Sequence, residues 1–319
     1  MDPSSAAQVP VPQFPVRLDP PDLQPWRAGN TGVPGFTSFE SGRPGPHVAL
    51  VALTHGNEIA GAIVLDAMLR RGAPRPARGR LTLGFANLAA FARFSPAQPT
   101  ASRFLDEDLN RLWDPAVLDG TGRSAELDRA REMRPLIDTV DVLLDLHSML
   151  WPSDPLILSG PTLKGRALAA GIGTPSLVVT DRGHVSGPRL IDYAPFTRTD
   201  GPARACLVEA GQHWEPGTVE VTRACIAGLL RHLGLGWGEA DAPPAPPRLA
   251  EVTLAVTAAT SGFAFVQPFR GGDVIPQRNT LIALDGTAEI RTPHDDCLLI
   301  MPSLRPSRGH TAVRLARFV

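Results

Sequence analysis

The sequence alternates apolar, strand-like runs with helical patterns from about residue 47 to residue 235, and this alternation constrains the fold more than any other feature. Strand-like runs lie at 47–53, 80–87, 141–148, 155–159, 176–180 and 205–211, and helical patterns lie at 58–71, 124–138, 162–171 and 218–233. Such alternation is typical of α/β folds, whose helices cover the faces of a sheet. Ser124 is suited to cap a helix, and Gly234 to follow the last one. The sequence therefore predicts an α/β fold with a mixed, largely parallel sheet flanked by helices.

Proline-rich stretches predict four parts of the chain. Residues 1–35 contain many prolines and few periodic apolar positions, which favours an extended N-terminal arm. Residues 238–248 include two proline pairs, which favour a semi-rigid linker. The α/β domain is expected between them, over 36–237. Beyond the linker, short β-branched or alternating runs separated by turn residues predict a small all-β domain over 249–319, with strands at 251–257, 262–267, 279–284, 287–291, 297–301 and 311–318.

Composition excludes several classes of protein. The chain has 319 residues, 43% of them hydrophobic, which is enough for a sizeable core, and its net charge of -1 gives no field that would attract nucleic acid or an anionic membrane. The three cysteines are far apart and form no CxxC pair, so neither a disulfide framework nor a cysteine zinc site is indicated. A single lysine, Lys164, argues against Schiff-base chemistry. No apolar run approaches the roughly 18 residues that span a bilayer, and a cytoplasmic location is expected.

The tetrapeptide HGNE at 55–58 follows the first buried run and places an imidazole and a carboxylate three residues apart. Turns at the carboxyl ends of strands are where α/β folds gather their active-site groups. A catalytic zinc usually has three protein ligands, so His55 and Glu58 require a distant partner. The best candidate is His147, which ends another strand-like run. Strand alternation places Asp145 on the same side, where it can accept a hydrogen bond from either imidazole.

Each of these residues also has a structural interpretation. His55 suits a turn, Glu58 suits the first turn of a helix, and His147 can be a satisfied core histidine. Glu209 lies late in the apolar run 205–211, where an ionised carboxylate is costly unless it has a use. Near a zinc-bound water it can take and return a proton, and the alternative is a strand-end glutamate paired with an arginine.

The segment RFLDEDLNR at 103–111 carries two arginines and an asparagine in a loop-like stretch. Arg111 with Asn110 can hold a substrate carboxylate, because a guanidinium binds carboxylates with two parallel hydrogen bonds. Arg103 can stabilise the oxyanion of a tetrahedral intermediate. The acidic residues of the same segment offer an alternative, an exposed loop of weak ion pairs.

The motifs HGNE, RFLDEDLNR, DLHS and VEAG, in that order within roughly residues 47–215, resemble the succinylglutamate desuccinylase and aspartoacylase family. Members of that family share their fold with the zinc carboxypeptidases and end in a β-domain. The resemblance implies one zinc ion per chain with three protein ligands, namely His55, Glu58 and His147. It also implies that Glu209 is the general acid and base.

The same resemblance implies that Arg103 polarises the scissile carbonyl, while Asn110 and Arg111 bind the carboxylate of an amino-acid moiety. Two features depart from the family pattern. Aspartoacylases carry a tyrosine from the C-terminal domain at the substrate site, whereas Tyr193 is the only tyrosine here and lies in the predicted α/β domain. A family arginine shortly before the catalytic glutamate has no clear match, and Arg198 and Arg204 are both candidates.

Four further groups have no assigned catalytic role. His213 either lines the cleft or lies on a surface loop, and His184 and His294 are interpreted as ordinary loop residues. The arginines of the last segment either add positive potential near an anionic substrate or, as the favoured interpretation, protect an exposed strand by their charge. They are Arg305, Arg308, Arg314 and Arg317.

The sequence thus predicts a zinc-dependent amidohydrolase, or deacylase. Its expected substrate is a small N-acyl amino acid or a similar carboxylate-bearing amide, hydrolysed by a zinc-activated water. No nucleic-acid or membrane partner is expected, and a homo-oligomer is left open. Two alternatives remain: a zinc carboxypeptidase that acts on short peptides, and a catalytically silent homologue that binds metal or ligand.

Overall fold

A computed structural model describes residues 14–72, 75–236 and 246–319. Residues 1–13 of the predicted arm and 238–245 of the predicted linker lie outside this described part. The rest of the arm packs on the main body of the protein. The indole of Trp26 donates to Asp66 at 2.6 Å, and the side chain of Val33 is buried in the core.

The described residues of the main part of the chain form seven strands and seven α-helices. The strands are β1 (Phe36–Glu40), β2 (His47–Ala52), β3 (Arg80–Phe85), β4 (Val142–Met149), β5 (Leu156–Leu158), β6 (Leu177–Thr180) and β7 (Arg204–Gln212). The helices are α1 (Ile59–Arg70), α2 (Leu88–Phe91), α3 (Pro115–Asp119), α4 (Ala125–Ile137), α5 (Leu163–Ile172), α6 (Ala194–Thr197) and α7 (Pro216–His232). Short 3-10 helices lie at Gln24–Trp26, Pro99–Ser102, Leu109–Arg111 and Leu190–Asp192.

The C-terminal region contributes only strands. They are β8 (Arg248–Thr257), β9 (Phe263–Phe265), β10 (Val274–Ile275), β11 (Leu281–Asp285), β12 (Ala288–Arg291), β13 (Cys297–Ile300) and β14 (Thr311–Phe318). The predicted strand at 311–318 coincides with β14, and the other predicted runs of this region differ from the observed strands by a few residues. The two-residue strand β10 was not predicted, because so short a strand has no sequence period.

Eleven strands form one mixed sheet in the order β1-β3-β2-β4-β7-β5-β6-β8-β14-β13-β10. Strands β3, β2, β4 and β7 run parallel, as do β5, β6 and β8, whereas β1 and the last three strands are antiparallel to their neighbours. Strands β12, β11 and β9 form a separate three-stranded sheet. The predicted α/β class with a C-terminal β region is confirmed.

Strand β2 explains why the sheet has helices on both faces. All six of its residues are buried, so its sequence is apolar throughout and does not alternate. Val48, Leu50 and Ala52 pack in one core cluster with α1 and α7, while Ala49 and Val51 pack in another with α4. Each of the buried valine and leucine side chains contributes roughly 1.5–3 kcal/mol, so the central strands are rigid supports for the loops that follow them.

The main sheet continues into the C-terminal region, because β8 pairs with β6 in parallel register. The apolar side chains beyond it form a smaller core of their own around Phe263, Phe269 and Ile282. The division into an α/β domain at 36–237 and a β-domain at 249–319 therefore stays a prediction. The continuous sheet matters for function, because it fixes β14 relative to the loops of the main body.

The predicted helix ends are confirmed where a specific capping residue was named. The Ser124 hydroxyl accepts a hydrogen bond from the Leu127 amide at 2.9 Å, at the start of α4. Gly234 follows the end of α7 with a φ of 65°, a left-handed conformation that favours glycine. Both signals are local, which is why they could be predicted from the sequence.

Candidate metal centre

The HGNE turn connects β2 to α1 and is tightly packed. Leu53 precedes it with a φ of 59°, a conformation that non-glycine residues seldom adopt and that often marks functional loops. A Cβ on Gly56 would lie 2.4 Å from the Phe91 backbone nitrogen and 2.5 Å from the Ser102 carbonyl oxygen, so only glycine fits. The Gly56 amide donates to the Arg103 carbonyl at 3.0 Å. The turn is thus held directly against the segment 103–111.

His55, Glu58 and His147 meet as the sequence predicts, at the carboxyl ends of β2 and β4. One Glu58 oxygen lies 2.7 Å from His55 Nδ1, and the other lies 3.0 Å from His147 Nδ1. All three side chains are buried, and their ligand atoms lie within 4.8 Å of one another. We call these three residues the His–Glu–His group. A group of this composition and size can hold a metal ion.

Each imidazole of the group has a second carboxylate at its Nε2 atom. Asp145 Oδ2 lies 2.8 Å from His147 Nε2, in contact but without the alignment of a hydrogen bond, and Asp108 Oδ1 lies 2.9 Å from His55 Nε2. The other oxygen of Asp145 accepts from Thr54 Oγ1 at 2.9 Å. The structure therefore assigns Asp145 to His147, a choice that the sequence left open.

Asp108 is a site residue that the sequence analysis missed. It was counted among the acids of an exposed ion-pair loop, yet its side chain is mostly buried between His55 and two arginines. Burial by itself would raise the pKa of Asp108, but the charges of His55, Arg103 and Arg111 hold it well below its usual range. The available signal was its position two residues before Asn110 inside a segment already assigned to the site.

Electrostatics keep the central carboxylate ionised. Burial alone would raise the pKa of Glu58, but the charges and hydrogen bonds of His55 and His147 hold it well below its usual range. Burial likewise opposes the charged form of His147, whereas Asp145 and Glu58 raise its pKa well above the usual value. The carboxylates of Glu58 and of the neighbouring Asp108 and Asp145 thus surround the two imidazoles with negative charge, which favours a cation.

Glu209 lies on β7 directly beside His147 in the parallel pairing of β4 and β7. Its side chain is buried, and its Oε2 atom has no hydrogen-bond partner among the described residues. Burial, followed by the negative charge of Glu58, raises the pKa of Glu209 to about 8. The alternative of a strand-end glutamate paired with an arginine is wrong. A buried carboxyl group without a partner is available to exchange a proton with a ligand.

The strand β7 changes its register just after Glu209. The pairing passes from His147 opposite Glu209 to Met149 opposite Gln212, so β7 has one additional residue there. Gly211 lies in this bulge with a φ of 133°, a conformation that favours glycine and explains the VEAG motif. Bulges often lie beside active sites, because they reorient the side chains that follow.

His213 follows the bulge and is buried. Its Nδ1 atom lies 2.7 Å from Ser148 Oγ, and the amide of Ser148 donates to Glu58 at 2.9 Å. Burial lowers the pKa of His213 to about 4, so the ring is neutral near pH 7. The surface-loop interpretation of His213 is therefore wrong, and the residue supports the carboxylate of Glu58 through Ser148.

The segment 103–111 crosses the His–Glu–His group. Arg103 directs one Nη atom to Glu58 at 3.3 Å and the other to His55 Nε2 at 2.9 Å. The amide oxygen of Asn110 accepts from the Leu190 backbone at 2.8 Å. Arg111 donates to the Asn110 carbonyl at 2.6 Å, and burial lowers its pKa to about 10. The predicted residues of this segment therefore lie together beside the group.

A buried glutamate fixes the conformation of this segment. Glu126, on α4, accepts hydrogen bonds from three consecutive amides, those of residues 105–107, at 2.7, 3.0 and 3.2 Å. Its Oε1 atom also accepts from Asn87 Nδ2 at 3.0 Å. This role is not indicated by the sequence, in which Glu126 has the pattern of an ordinary acid in the first turn of a helix.

A second buried cluster of charges lies next to Arg111. Arg189 forms ion pairs with Asp181 at 2.6 Å and with Asp192 at 2.7 Å. Arg314, from β14, is buried with its Nε atom 3.7 Å from Asp181. The charge-protected strand was therefore a wrong interpretation for Arg314. The available signal was its place within the apolar run 312–316, whose other members are all buried.

His184 joins this second cluster and is not an ordinary loop residue. Its ring nitrogens contact both Arg111 and Arg314. His294, by contrast, contacts Thr253 and the Asp295 carbonyl in the C-terminal region, as expected for a polar loop residue. We use the name arginine pocket for the second cluster. It consists of Arg111, Asp181, His184, Arg189, Asp192 and Arg314.

The residues that departed from the family pattern lie elsewhere. The Tyr193 hydroxyl donates to Asp138 at 2.7 Å and accepts from Arg134 at 3.0 Å. Arg198 pairs with Asp200 in solvent, and the guanidinium of Arg204 donates to the Pro202 carbonyl. The buried Arg189 and Arg314 instead lie close enough to Arg111 for their charges to lower its pKa.

The sequence comparison agrees with this geometry. Residues 44–156 match the succinylglutamate desuccinylase/aspartoacylase catalytic domain. The family resemblance is confirmed. The motifs at 55–58, 103–111 and 145–148 lie within the matched residues, whereas Glu209 lies beyond them. A comparison with curated proteins gives no significant match.

Solved structures share the fold over most of the chain. Succinylglutamate desuccinylase from Vibrio cholerae is 16% identical, with a TM-score of 0.69 and coverage of 90% of this chain and 86% of that chain. A succinylglutamate desuccinylase/aspartoacylase from Rhodobacter sphaeroides is 18% identical, with a TM-score of 0.65 and coverage of 89% and 88%. The product-bound ectoine utilization protein EutE (DoeB) from Ruegeria pomeroyi is 18% identical, with a TM-score of 0.62 and coverage of 89% and 88%. Within the described part of this chain, no helix is both long and apolar enough to cross a membrane.

Proposed function

We propose that this protein is a zinc-dependent amidohydrolase that removes the acyl group from an N-acyl amino acid or a similar small amide bearing a carboxylate. The observation that carries the proposal is the buried His–Glu–His group with the unpartnered carboxyl group of Glu209 beside it. A cation site and a proton carrier next to each other are what the hydrolysis of an unreactive amide requires.

The donor set fits zinc. Two imidazole nitrogens and one carboxylate, from His55, His147 and Glu58, are a common ligand set of catalytic zinc sites. The carboxylates at the far nitrogens of both rings would orient the rings and raise their basicity. When bound, zinc supplies a Lewis acid that polarises a carbonyl and lowers the pKa of water toward about 7.

The remaining residues of the site have separate roles in the reaction. Glu209 takes a proton from the attacking water and returns it to the amine that leaves, because its Oε2 atom is buried beside His147 and has no hydrogen-bond partner among the described residues. Arg103, whose guanidinium is partly exposed above the group, stabilises the negative charge on the scissile carbonyl oxygen. Asn110 and Arg111 hold the carboxylate of the substrate.

The names of similar proteins support an amide substrate. The matched family model and the proteins from Vibrio cholerae and Rhodobacter sphaeroides are named desuccinylases or aspartoacylases, and both names denote removal of an acyl group. The acyl group and the amino acid of the present substrate are not given by these names. The cytoplasmic location, and the homo-oligomer that the sequence leaves open, stay predictions.

A metal assay and a substrate screen test the proposal. We expect about one zinc per chain, and hydrolysis of N-acyl amino acids in preference to short peptides. Glu209→Gln should keep its zinc and lose activity by roughly 10²- to 10⁴-fold, because general acid–base catalysis contributes about that much. The matched control is Glu220→Gln, an exposed glutamate on α7.

Three outcomes would contradict the proposal. Full activity of Glu209→Gln would remove its catalytic role, and preferential cleavage of peptides would indicate a carboxypeptidase. Zinc binding without turnover of any amide would indicate a silent homologue. Glu220→Gln should match the wild type in all three assays.

A further inference from the structure

The arginine pocket contains more positive charge than its own acids neutralise. Arg189 uses both oxygens of Asp181, at 2.6 and 3.0 Å, and both oxygens of Asp192, at 2.7 and 3.0 Å. The Nε atom of Arg314 lies 3.7 Å from Asp181, whose two oxygens already accept hydrogen bonds from Arg189.

Arg111 has a similarly weak acidic partner. It lies 3.8 Å from Asp108, whose oxygens are already in contact with Arg103 and His55. The buried guanidinium group of Arg314 and the partly buried one of Arg111 thus have no carboxylate of their own among the described residues.

One neutral imidazole fills the space between these two guanidinium groups. Arg111 Nη2 lies 3.2 Å from His184 Nε2, and Arg314 Nη2 lies 2.5 Å from the same atom. Burial and the charges of Arg314 and Arg111 lower the pKa of His184, so its ring can accept a hydrogen bond. A ring nitrogen offers a single lone pair, whereas a carboxylate offers two oxygens and a full negative charge. The imidazole is therefore a poor substitute for an anion at this position.

The loop that carries His184 is held at its ends and exposed at its tip. Gly183 and Gly187 flank the tip with φ values of 81° and 139°, conformations that favour glycine. A Cβ on Gly187 would lie 2.1 Å from the Arg111 carbonyl oxygen, so this end of the loop is packed on the substrate-binding segment. Val185, next to His184, is 96% exposed, so the tip has no apolar side chain that anchors it. The imidazole can leave without disturbing the core.

The arginine pocket also lies close to the proposed reaction centre. Arg314 contributes to the electrostatic environment of Glu209, and Arg111 adjoins Asp108, which contacts the proposed metal ligand His55. A small substrate that reaches the His–Glu–His group can therefore also reach the pocket with a second polar end.

We propose that Arg111 and Arg314 together form the subsite for a substrate carboxylate, and that His184 occupies this subsite until an anionic substrate displaces it. Arg314 is then a specificity-determining residue that the C-terminal β region contributes. The identification of the anion as part of a hydrolysed amide rests on the proposed function, whereas the anion-binding property itself does not. The ligand class is a small amide that carries a carboxylate at one end.

Binding of matched charged and uncharged ligands tests the proposal without relying on turnover. The probes are N-acetylglycine and its uncharged analogue N-acetylglycinamide, measured by calorimetry on the full chain. Arg314→Met should weaken binding of N-acetylglycine about 10- to 100-fold, which is the loss of one charge-assisted hydrogen bond, and leave N-acetylglycinamide unaffected. The matched control is Arg317→Met, an exposed arginine three residues further along β14.

The direction in which His184→Ala changes the affinity for N-acetylglycine decides between the possible roles of His184. If His184 occupies the subsite, its removal should tighten binding of N-acetylglycine several-fold, because the ligand no longer has to displace the ring. If His184 were a direct ligand of the substrate or a structural support, its removal would weaken binding. Unchanged or weaker binding in His184→Ala would overturn the proposal, and so would equal effects of Arg314→Met on both probes. This variant lies on an exposed loop, so the test holds even where Arg314→Met fails to fold.

The outcomes separate this proposal from the proposed function. Suppose that the variants change carboxylate binding as expected but that the protein hydrolyses no amide. The carboxylate subsite would then be supported, and the proposed hydrolase function would be contradicted. If the protein hydrolyses amides and both variants bind the carboxylate as the wild type does, the hydrolase function would be supported and the subsite contradicted. An increase in KM without a change in kcat for Arg314→Met would agree with a role in binding alone.

Discussion

The His–Glu–His group and the arginine pocket are adjacent buried clusters that differ in the sign of their surplus charge. At the His–Glu–His group, several acids surround two imidazoles, and the guanidinium of Arg103 is the arginine charge that offsets them. Besides its own Glu58, the carboxylates that contact its imidazoles are those of Asp108 and Asp145. The second gathers three arginines around two acids. Buried charge is costly unless it is compensated, so each surplus indicates the charge of the ligand that belongs there.

This difference in charge indicates how one small molecule can be oriented between the two clusters. A cation favoured by the first cluster and an anionic group favoured by the second would hold a polar ligand at both ends, with Glu209 beside the cation site. Asp108 lies between the two clusters, because it contacts His55 on one side and approaches Arg111 on the other. Variants that remove a charge from either cluster test whether the two surpluses have these separate roles.

The largest effect is expected from the metal ligands. His55→Ala and His147→Ala should each lower the zinc content from about one ion per chain to near zero, because three protein ligands are the usual minimum for such a site. Metal analysis after dialysis measures this directly. His310→Ala, which changes an exposed histidine of the C-terminal region, should keep its zinc. Retention of stoichiometric zinc by both ligand variants would show that His55 and His147 are not ligands of the bound zinc.

A large loss of stability is expected from the arginine pocket. Arg189→Met leaves Asp181 and Asp192 without their main partner, and breaking a buried ion pair costs about 3–5 kcal/mol. Urea unfolding of the zinc-loaded protein measures the change. The control Arg223→Met removes an exposed ion pair with Glu220 on α7 and should change stability by about 0.5 kcal/mol or less. Equal stability of the two variants would mean that the Asp–Arg pairs do not maintain the pocket.

The smallest effect is expected from the residue that links the clusters. Asp108→Asn removes the carboxylate at His55 Nε2 and should weaken zinc affinity about 10- to 100-fold, as loss of a ligand-orienting partner commonly does. Competition with a chelator measures the affinity. Asp106→Asn, in the same segment but bonded to the Ala125 amide, should leave zinc affinity unchanged. If both variants bind zinc as the wild type does, the Asp108 carboxylate does not support the metal ligand His55.

Much of the fold and half of the site could be predicted, for reasons that are local in the chain. Apolar period and helix-capping residues gave the strands and helices, since β2 and α4 carry their signals within their own sequences. His55, Glu58 and His147 could be brought together because the carboxyl ends of parallel strands lie at one edge of a sheet. Motif spacing also led to the segment 103–111, which indeed lies beside them.

The arginine pocket could not be predicted, because its members are distant in the chain and lack a periodic signal. His184 and Arg314 are 130 residues apart, and they meet only because the sheet continues from β6 through β8 to β14. His213 was ambiguous because burial at a strand end depends on the bulge at Gly211, which the sequence does not mark as such.

The sequence by itself determined the α/β fold and the residues of the candidate metal site, because apolar periodicity and the order of strands and turns are local properties. Only the tertiary structure decided which carboxylate serves which imidazole, and it alone placed Arg314 against His184 and Arg111. The physical reason is that the partners of buried charges are chosen by which strands become neighbours, and that choice is made by the packing of the whole sheet.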